Sequence, residues 1–234
     1  MRFATFVLTL SACIAPLACR AQVPDTPPKL AGLPAPLVWQ NGTADWSTDK
    51  SGTFTLAAGK KTDWFVWPGG GDYRPDSSPR LLFRTDENFS FSTRVDVAAH
   101  ATYDAGCISL VGTASRWAKF CLEAQADGGL AIVSVVTRDV SDDATSYPVS
   151  GTSTYIKVAK DQRAIFFYAS PDGRRWTIVR KFSLDAPRGL SAGFAVQSPE
   201  GDGARATFSD FHYATGKSIS GSCGRQVSTP WVGG

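Results

Sequence analysis

From residue 80 to residue 213 the chain is a succession of short apolar runs, and none of them carries a helical period. The runs fall at 80–84, 89–97, 105–112, 117–125, 130–138, 154–159, 163–169, 176–182, 190–196 and 204–213, with Gly, Pro, Asp and Ser between them. Before them, "WSTDKSGTFTLAA" at 46–58 reads as the first strands and "WPGGGDYRPDSSP" at 67–79 as a long loop. Short strands with turns at regular intervals favour an antiparallel sandwich or barrel over a parallel sheet. Two turns are legible. In "SPDGRRW" at 170–176, Pro171 presets the first corner and Gly173 is free to take a positive φ, which closes a hairpin between "AIFFYA" and "WTIVRKF". "ADGG" at 126–129 carries the Asp-Gly signal of another.

One hairpin, "AGCISLVGTASRWAKFCLEA", fixes its own register. Folded about Ala114, it sets Val111 opposite Trp117, Ser109 opposite Lys119, Cys107 opposite Cys121 and Ala105 opposite Glu123. Ile108, Leu110, Phe120 and Leu122 then share the other face. Burial of each large apolar side chain is worth about 1.5–3 kcal/mol, and a one-residue slip would bury Lys119 and Glu123 in their place at a cost of several kcal/mol. The apolar face is core, so the mixed face looks outward or into a cleft. Trp117 favours a cleft; the alternative is a polar sheet surface on which Lys119 and Glu123 pair with neighbouring strands. These two lie four strand positions apart, about 13 Å, too far for an ion pair with each other.

Length and charge bound the rest. A chain of 234 residues with 24 basic and 21 acidic side chains is expected to form one core and has no basic block for nucleic acid. Residues 1–21 read as a secretory signal: Arg2, an apolar run over 3–17, and small residues up to a cut after Ala21. "LSAC" at 10–13 offers a rival reading as a lipoprotein acceptor. Either way the protein is expected to be exported, periplasmic or extracellular, with no membrane span. Residues 22–36 form a proline-rich leader expected to be poorly ordered, 37–213 the β-sandwich domain, and 214–234 an irregular tail. After the signal, Cys107, Cys121 and Cys223 remain, an odd count that leaves at least one thiol unpaired or available to another molecule. Cys107 and Cys121 are read as two partly buried thiols, with a cross-strand disulfide as the alternative. His100 and His212 are not spaced to activate either thiol.

The ordered segments "TDWFVWP", "SPRLLFRTDENFSFSTRV", "YDAGCISL", "WAKFCLEA", "SVVTRDVSDD", "SPDGRRWTIVRKFSL" and "GFAVQSPEGDGARATFSDF" resemble the uncharacterised family typified by the regulation-of-enolase protein. That resemblance implies an all-β, antiparallel two-sheet sandwich of the concanavalin A-like jelly-roll type, with a concave face where relatives of the broader fold hold glycans. It also implies polar site positions at Asp63, Tyr103, Lys119, Glu123, Thr137, Ser141 and Asp142. Cys107 and Cys121 depart from the family pattern.

The expected function is an exported carbohydrate-binding module whose partner is a glycan or oligosaccharide. Trp64, Trp67 and Trp117 would stack on sugar rings, while the polar positions bind hydroxyls. A second expectation is a glycoside hydrolase or lyase with Glu123 as acid/base or nucleophile and Asp142 or Asp63 as the second carboxyl group. A third is a protein-interaction or regulatory domain, for which export argues against a cytosolic partner. "SDD" at 141–143 and "GGGDY" at 69–73 lack a full calcium-ligand spacing and read as solvated turns, so no metal site or cofactor is expected.

Overall fold

The computed structural model describes residues 26–42 and 45–216, which carry fourteen strands. They are β1 Val38–Gln40, β2 Trp46–Thr48, β3 Phe54–Gly59, β4 Arg80–Arg84, β5 Phe89–Ala98, β6 Ala105–Thr113 and β7 Arg116–Ala124. There follow β8 Leu130–Arg138, β9 Val140–Val149, β10 Ser153–Asp161, β11 Ala164–Ser170, β12 Thr177–Phe182, β13 Ser191–Gln197 and β14 Gly203–Thr215. All pairings are antiparallel and make two seven-stranded sheets, ordered β1-β4-β13-β6-β7-β8-β9 and β12-β11-β10-β5-β14-β3-β2. The chain is thus an all-β sandwich. Among the described residues no helix is long and apolar enough to cross a membrane.

Alternation builds the core. In β5, Phe89, Phe91, Val95 and Val97 point inward at every second position, and in β7 Ala118, Phe120 and Leu122 do the same from the opposite sheet. Phe120 stacks on Phe167 with ring centres 4.6 Å apart, and Phe91, Phe194 and Phe208 continue the packing between the layers. The sheets approach closely at Gly106, where a Cβ would stand 2.6 Å from that of Ala206. Leu30 and Leu37 are buried in this core and Leu33 packs against it. The described part of the leader, expected to be poorly ordered, is therefore pinned to the sandwich through Leu30 and Leu33.

The β6–β7 hairpin pairs Ala105 with Glu123, Cys107 with Cys121, Ser109 with Lys119 and Val111 with Trp117, the register that alternation dictates. The ADGG and SPDGRRW turns form as expected. Gly128 and Gly173 have positive φ, and the Asp172 carboxylate accepts the Arg174 and Arg175 amide N–H groups at 2.9 Å each.

Two expectations are overturned. "SDD" is not a turn: it lies in β9, a polar strand at the edge of its sheet, where an unpaired side tolerates Pro148 and exposed side chains. Cys107 and Cys121 are not free thiols but a disulfide, since direct cross-strand opposition brings their Cα atoms to 4.1 Å. Reduction should lower stability by about 3 kcal/mol through the short loop it opens, measured as the shift in urea midpoint with and without reductant. An unchanged midpoint would remove the bond's structural role. Cys223, the tail from residue 217 on and the signal segment lie outside the described residues.

Candidate functional site

Trp117, Lys119, Cys121 and Glu123 all leave β7 on the side away from the inter-sheet core, yet all four are buried. The cover is the 60–79 loop, which leaves β3 and crosses this face before entering β4. Its anchor is Trp64, 3 % exposed, whose ring stacks on Trp117 at 3.9 Å and 20°, with the Arg80 guanidinium 4.0 Å over its other face. Val135 completes this second, small apolar cluster. The edge strand holds the loop from the side. The Ser141 N–H donates to the Val66 carbonyl, the Val66 N–H donates to Ser141 Oγ, and Ser141 Oγ shares a 2.8 Å hydrogen bond with Thr137 Oγ1.

Beside the anchor runs a chain of polar groups. The Tyr73 hydroxyl donates to Asp63 Oδ2 at 3.1 Å, and Lys119 Nζ stands 3.8 Å from Asp63 Oδ1 and donates to Gln197 Oε1 at 2.6 Å. Gln197 Nε2 turns to the Tyr103 carbonyl at 3.1 Å and to Glu123 Oε2 at 3.5 Å. Gln125 Nε2 is 3.4 Å from Glu123 Oε1. Gln197, at the end of β13 and opposite Ala105, so bridges the 13 Å gap that separates Lys119 from Glu123 along β7 (about 3.3 Å per residue).

Burial sets the protonation of both charges. It pushes the Glu123 carboxyl up to about 7, against the pull of the Lys119 ammonium. It pushes the Lys119 ammonium down, against Asp63 and then Glu123. The Tyr73 phenol rises to about 12 through burial and the neighbouring Asp63 charge.

These groups border a pocket of about 390 Å³. Asp63, Lys119, Glu123 and Gln197 make its polar floor and Val133 and Val135 its apolar one. Phe65, Trp67, Tyr73 and Tyr103 make its walls, with Asp143, Thr145 and Glu200 at the margin. Of the residues singled out from sequence, the structure brings Asp63, Tyr103, Lys119 and Glu123 together here, along with Trp67.

The others stand elsewhere. Trp64 and Trp117 cannot serve as a platform for a ligand, because each covers the other. Ser141 spends its hydroxyl on the loop, and Thr137 spends its own on Ser141. Asp142 points away from the pocket and pairs with Arg180 at 2.8 Å, since the period-two alternation that turns Ser141 inward turns Asp143 inward with it. Gln197, Tyr73, Asp143, Gln125 and Glu200 went unread. For Asp143 alternation from Ser141 was the available signal, and for Gln197 the register of β13 against β6.

The family described as protein of unknown function (DUF1349) matches residues 39–215. No curated protein matches the sequence. Among solved structures, a functionally unknown protein from Saccharomyces cerevisiae superposes with a TM-score of 0.70 at 24 % identity, covering 77 % of this chain and 96 % of its own. A GH43 protein from Bacillus licheniformis gives 0.56 at 20 % identity over 73 % of this chain and 34 % of its own. An engineered GH43 glycoside hydrolase, described as displaying endo-xylanase and exo-arabinofuranosidase activity, gives 0.59 at 17 % identity, covering 84 % of this chain and 42 % of its own. This chain thus spans less than half the length of those glycoside hydrolases. At these identities the likeness is one of fold.

Proposed function

We propose that this chain, which belongs to the DUF1349 family, is a glycan-binding module that takes a sugar residue in the pocket between β7 and the 60–79 loop. The observation that carries the reading is the make-up of that pocket. Its volume falls in the range of small-ligand sites, about 300–1,000 Å³, and aromatic walls surround a few convergent polar groups held in place by one another. Trp67 and Tyr103, 53 % and 45 % exposed, offer aromatic surface of the kind that sugars stack on. Domains of this fold inside GH43 glycoside hydrolases support the reading at the level of fold. Export, expected from residues 1–21, fits the Cys107–Cys121 disulfide and would bring the module to extracellular polysaccharide.

The test is calorimetric titration of the purified protein with a panel of oligosaccharides. Trp67→Ala and Tyr103→Ala should each weaken binding by about thirtyfold, the effect of losing a central aromatic contact worth about 2 kcal/mol. Affinity unchanged in both variants would place binding elsewhere, and no binding to any member of the panel would end the proposal.

One observation favours a second reading, hydrolysis. A carboxyl group at about 7 is poised to act as a general acid near neutral pH, and Glu123 is such a group. Its mate would be Asp63 or Asp143, because Asp142 lies outside the pocket. Sugar release that vanishes in Glu123→Gln with binding retained would establish this reading over the first.

A further inference from the structure

We infer that the sugar residue this pocket accepts carries a protonated amine, as in a 2-amino-2-deoxy sugar, an inference that rests on the glycan-binding reading above. The charges facing the cavity are unequal. Among the described residues, Asp63, Glu123, Asp143 and Glu200 border it against one ammonium, that of Lys119. Lys119 is already answered, by Gln197 Oε1 at 2.6 Å and Asp63 Oδ1 at 3.8 Å, so it offers little to an anionic ligand. Lys61 lies beyond the lining and donates to the Glu200 main-chain carbonyl.

Glu123 supplies the independent sign that something is to be received. It is 7 % exposed and borders the cavity, yet its two oxygens have only the Gln125 and Gln197 amides, at 3.4 and 3.5 Å. Those distances lie at the outer limit of hydrogen bonding, and a buried carboxyl group left so poorly supplied is costly. A ligand that brings N–H or O–H donors removes the cost.

The walls point the same way. The faces of Trp67, Tyr73, Tyr103 and Phe65 are negative by their quadrupoles and attract cations. A bare metal ion suits this cavity poorly: among the described residues no three carboxylate, His or Cys side chains come close enough together to share one. An ammonium on a sugar ring uses the whole arrangement, its charge meeting the carboxylates and its ring the aromatic faces. A uronate would face the same carboxylates and be repelled, and a neutral sugar would leave the excess charge unused.

The experiment titrates the full protein by calorimetry with four probes: a glucosamine oligosaccharide, its fully N-acetylated counterpart, a xylo-oligosaccharide and an oligogalacturonate. The glucosamine probe should bind at least about tenfold tighter than the N-acetylated one, and the advantage should shrink with added salt. The double variant Asp143→Asn, Glu200→Gln should lose most of that advantage while keeping the wild-type melting temperature, since both side chains are exposed. Equal or tighter binding of the acetylated, neutral or acidic probe overturns the inference and leaves the glycan reading standing. So does a preference that survives in the double variant. No binding by any probe overturns both.

Discussion

Replacing Trp117 with alanine should lower the stability of the fold by about 3–5 kcal/mol, the cost of emptying the space of a buried large aromatic side chain. In a domain of this size that corresponds to a fall in melting temperature of about 10 °C. Trp117 is 2 % exposed and belongs to a cluster separate from the inter-sheet core, sharing it with Trp64 and Val135. Loss of the indole leaves Trp64 with no partner on one face and the Arg80 guanidinium stacked on the other. The 60–79 loop would then be held by the Val66–Ser141 hydrogen bonds at the sheet edge, the Thr62–Ser198 backbone pairing, the Asp63–Lys119 pair and the Ser78 bond to the Val196 carbonyl, with no aromatic anchor at its middle. Limited proteolysis should accordingly cut the loop near Gly69–Gly71 faster in this variant than in the parent. Trp67→Ala is the control: an exposed tryptophan of the same loop should change stability by less than about 0.5 kcal/mol. A Trp117→Ala protein within about 1 kcal/mol of wild type would mean that the stacked pair is not what closes the loop over β7.

How much of this was legible in sequence differs between the two faces of β7. The inward face was readable residue by residue, because alternation and hydrophobicity act together there and a slip of one position is expensive. The same alternation placed Trp117, Lys119, Cys121 and Glu123 side by side. What covers them depends on a loop rich in glycine and proline, whose path follows no period. Trp64 and Trp117 were both visible as aromatic residues, yet neither showed that it would face the other rather than a ligand. The cysteines show the same limit. Register brings them into opposition, but whether opposition becomes a bond depends on the backbone separation at that pair, 4.1 Å here.

The polar residues of the site divide in a similar way. Lys119 and Glu123 stood out because charge on an otherwise buried strand is unusual. Gln197 closes an apolar strand, GFAVQ, and draws no notice until β13 is seen beside β6. Asp142 was carried over together with Ser141, although neighbours in a strand point to opposite faces. Applying to β9 the alternation used for β7 would have selected Asp143. An edge strand with one solvated face reads as polar throughout, so in sequence this segment resembles a loop and its alternation is hidden.

Between pH 4.5 and about 7, wild-type stability relative to a Glu123→Gln variant should fall by about 3 kcal/mol, the equivalent of the gap between the ordinary and the raised pKa of this carboxyl group. The sign follows from proton counts. In the unfolded chain Glu123 loses its proton near 4.5, and in the folded protein near 7, so across this window the folded state binds more protons. Its contribution is therefore fully present below 4.5 and is lost as the pH rises through about 7. Glutamine keeps the size but offers one acceptor oxygen in place of two, so it retains one of the contacts with Gln125 and Gln197; that loss does not vary with pH, and because the variant cannot ionise its stability should not fall across the window. Lys119 acts in the opposite sense. Burial lowers its pKa, so it costs stability where it is charged and recovers that stability as it deprotonates. Comparing wild type with Glu123→Gln removes most of that background, since both proteins retain Lys119. Urea titrations of the two proteins on either side of the window measure the difference directly, and parallel pH profiles would show that Glu123 ionises in the fold as it does in water. The same proton links stability to binding. A cationic ligand beside Glu123 should draw its pKa back toward the ordinary range and release a proton on binding near neutral pH, and the Glu123→Gln variant should release none from this position.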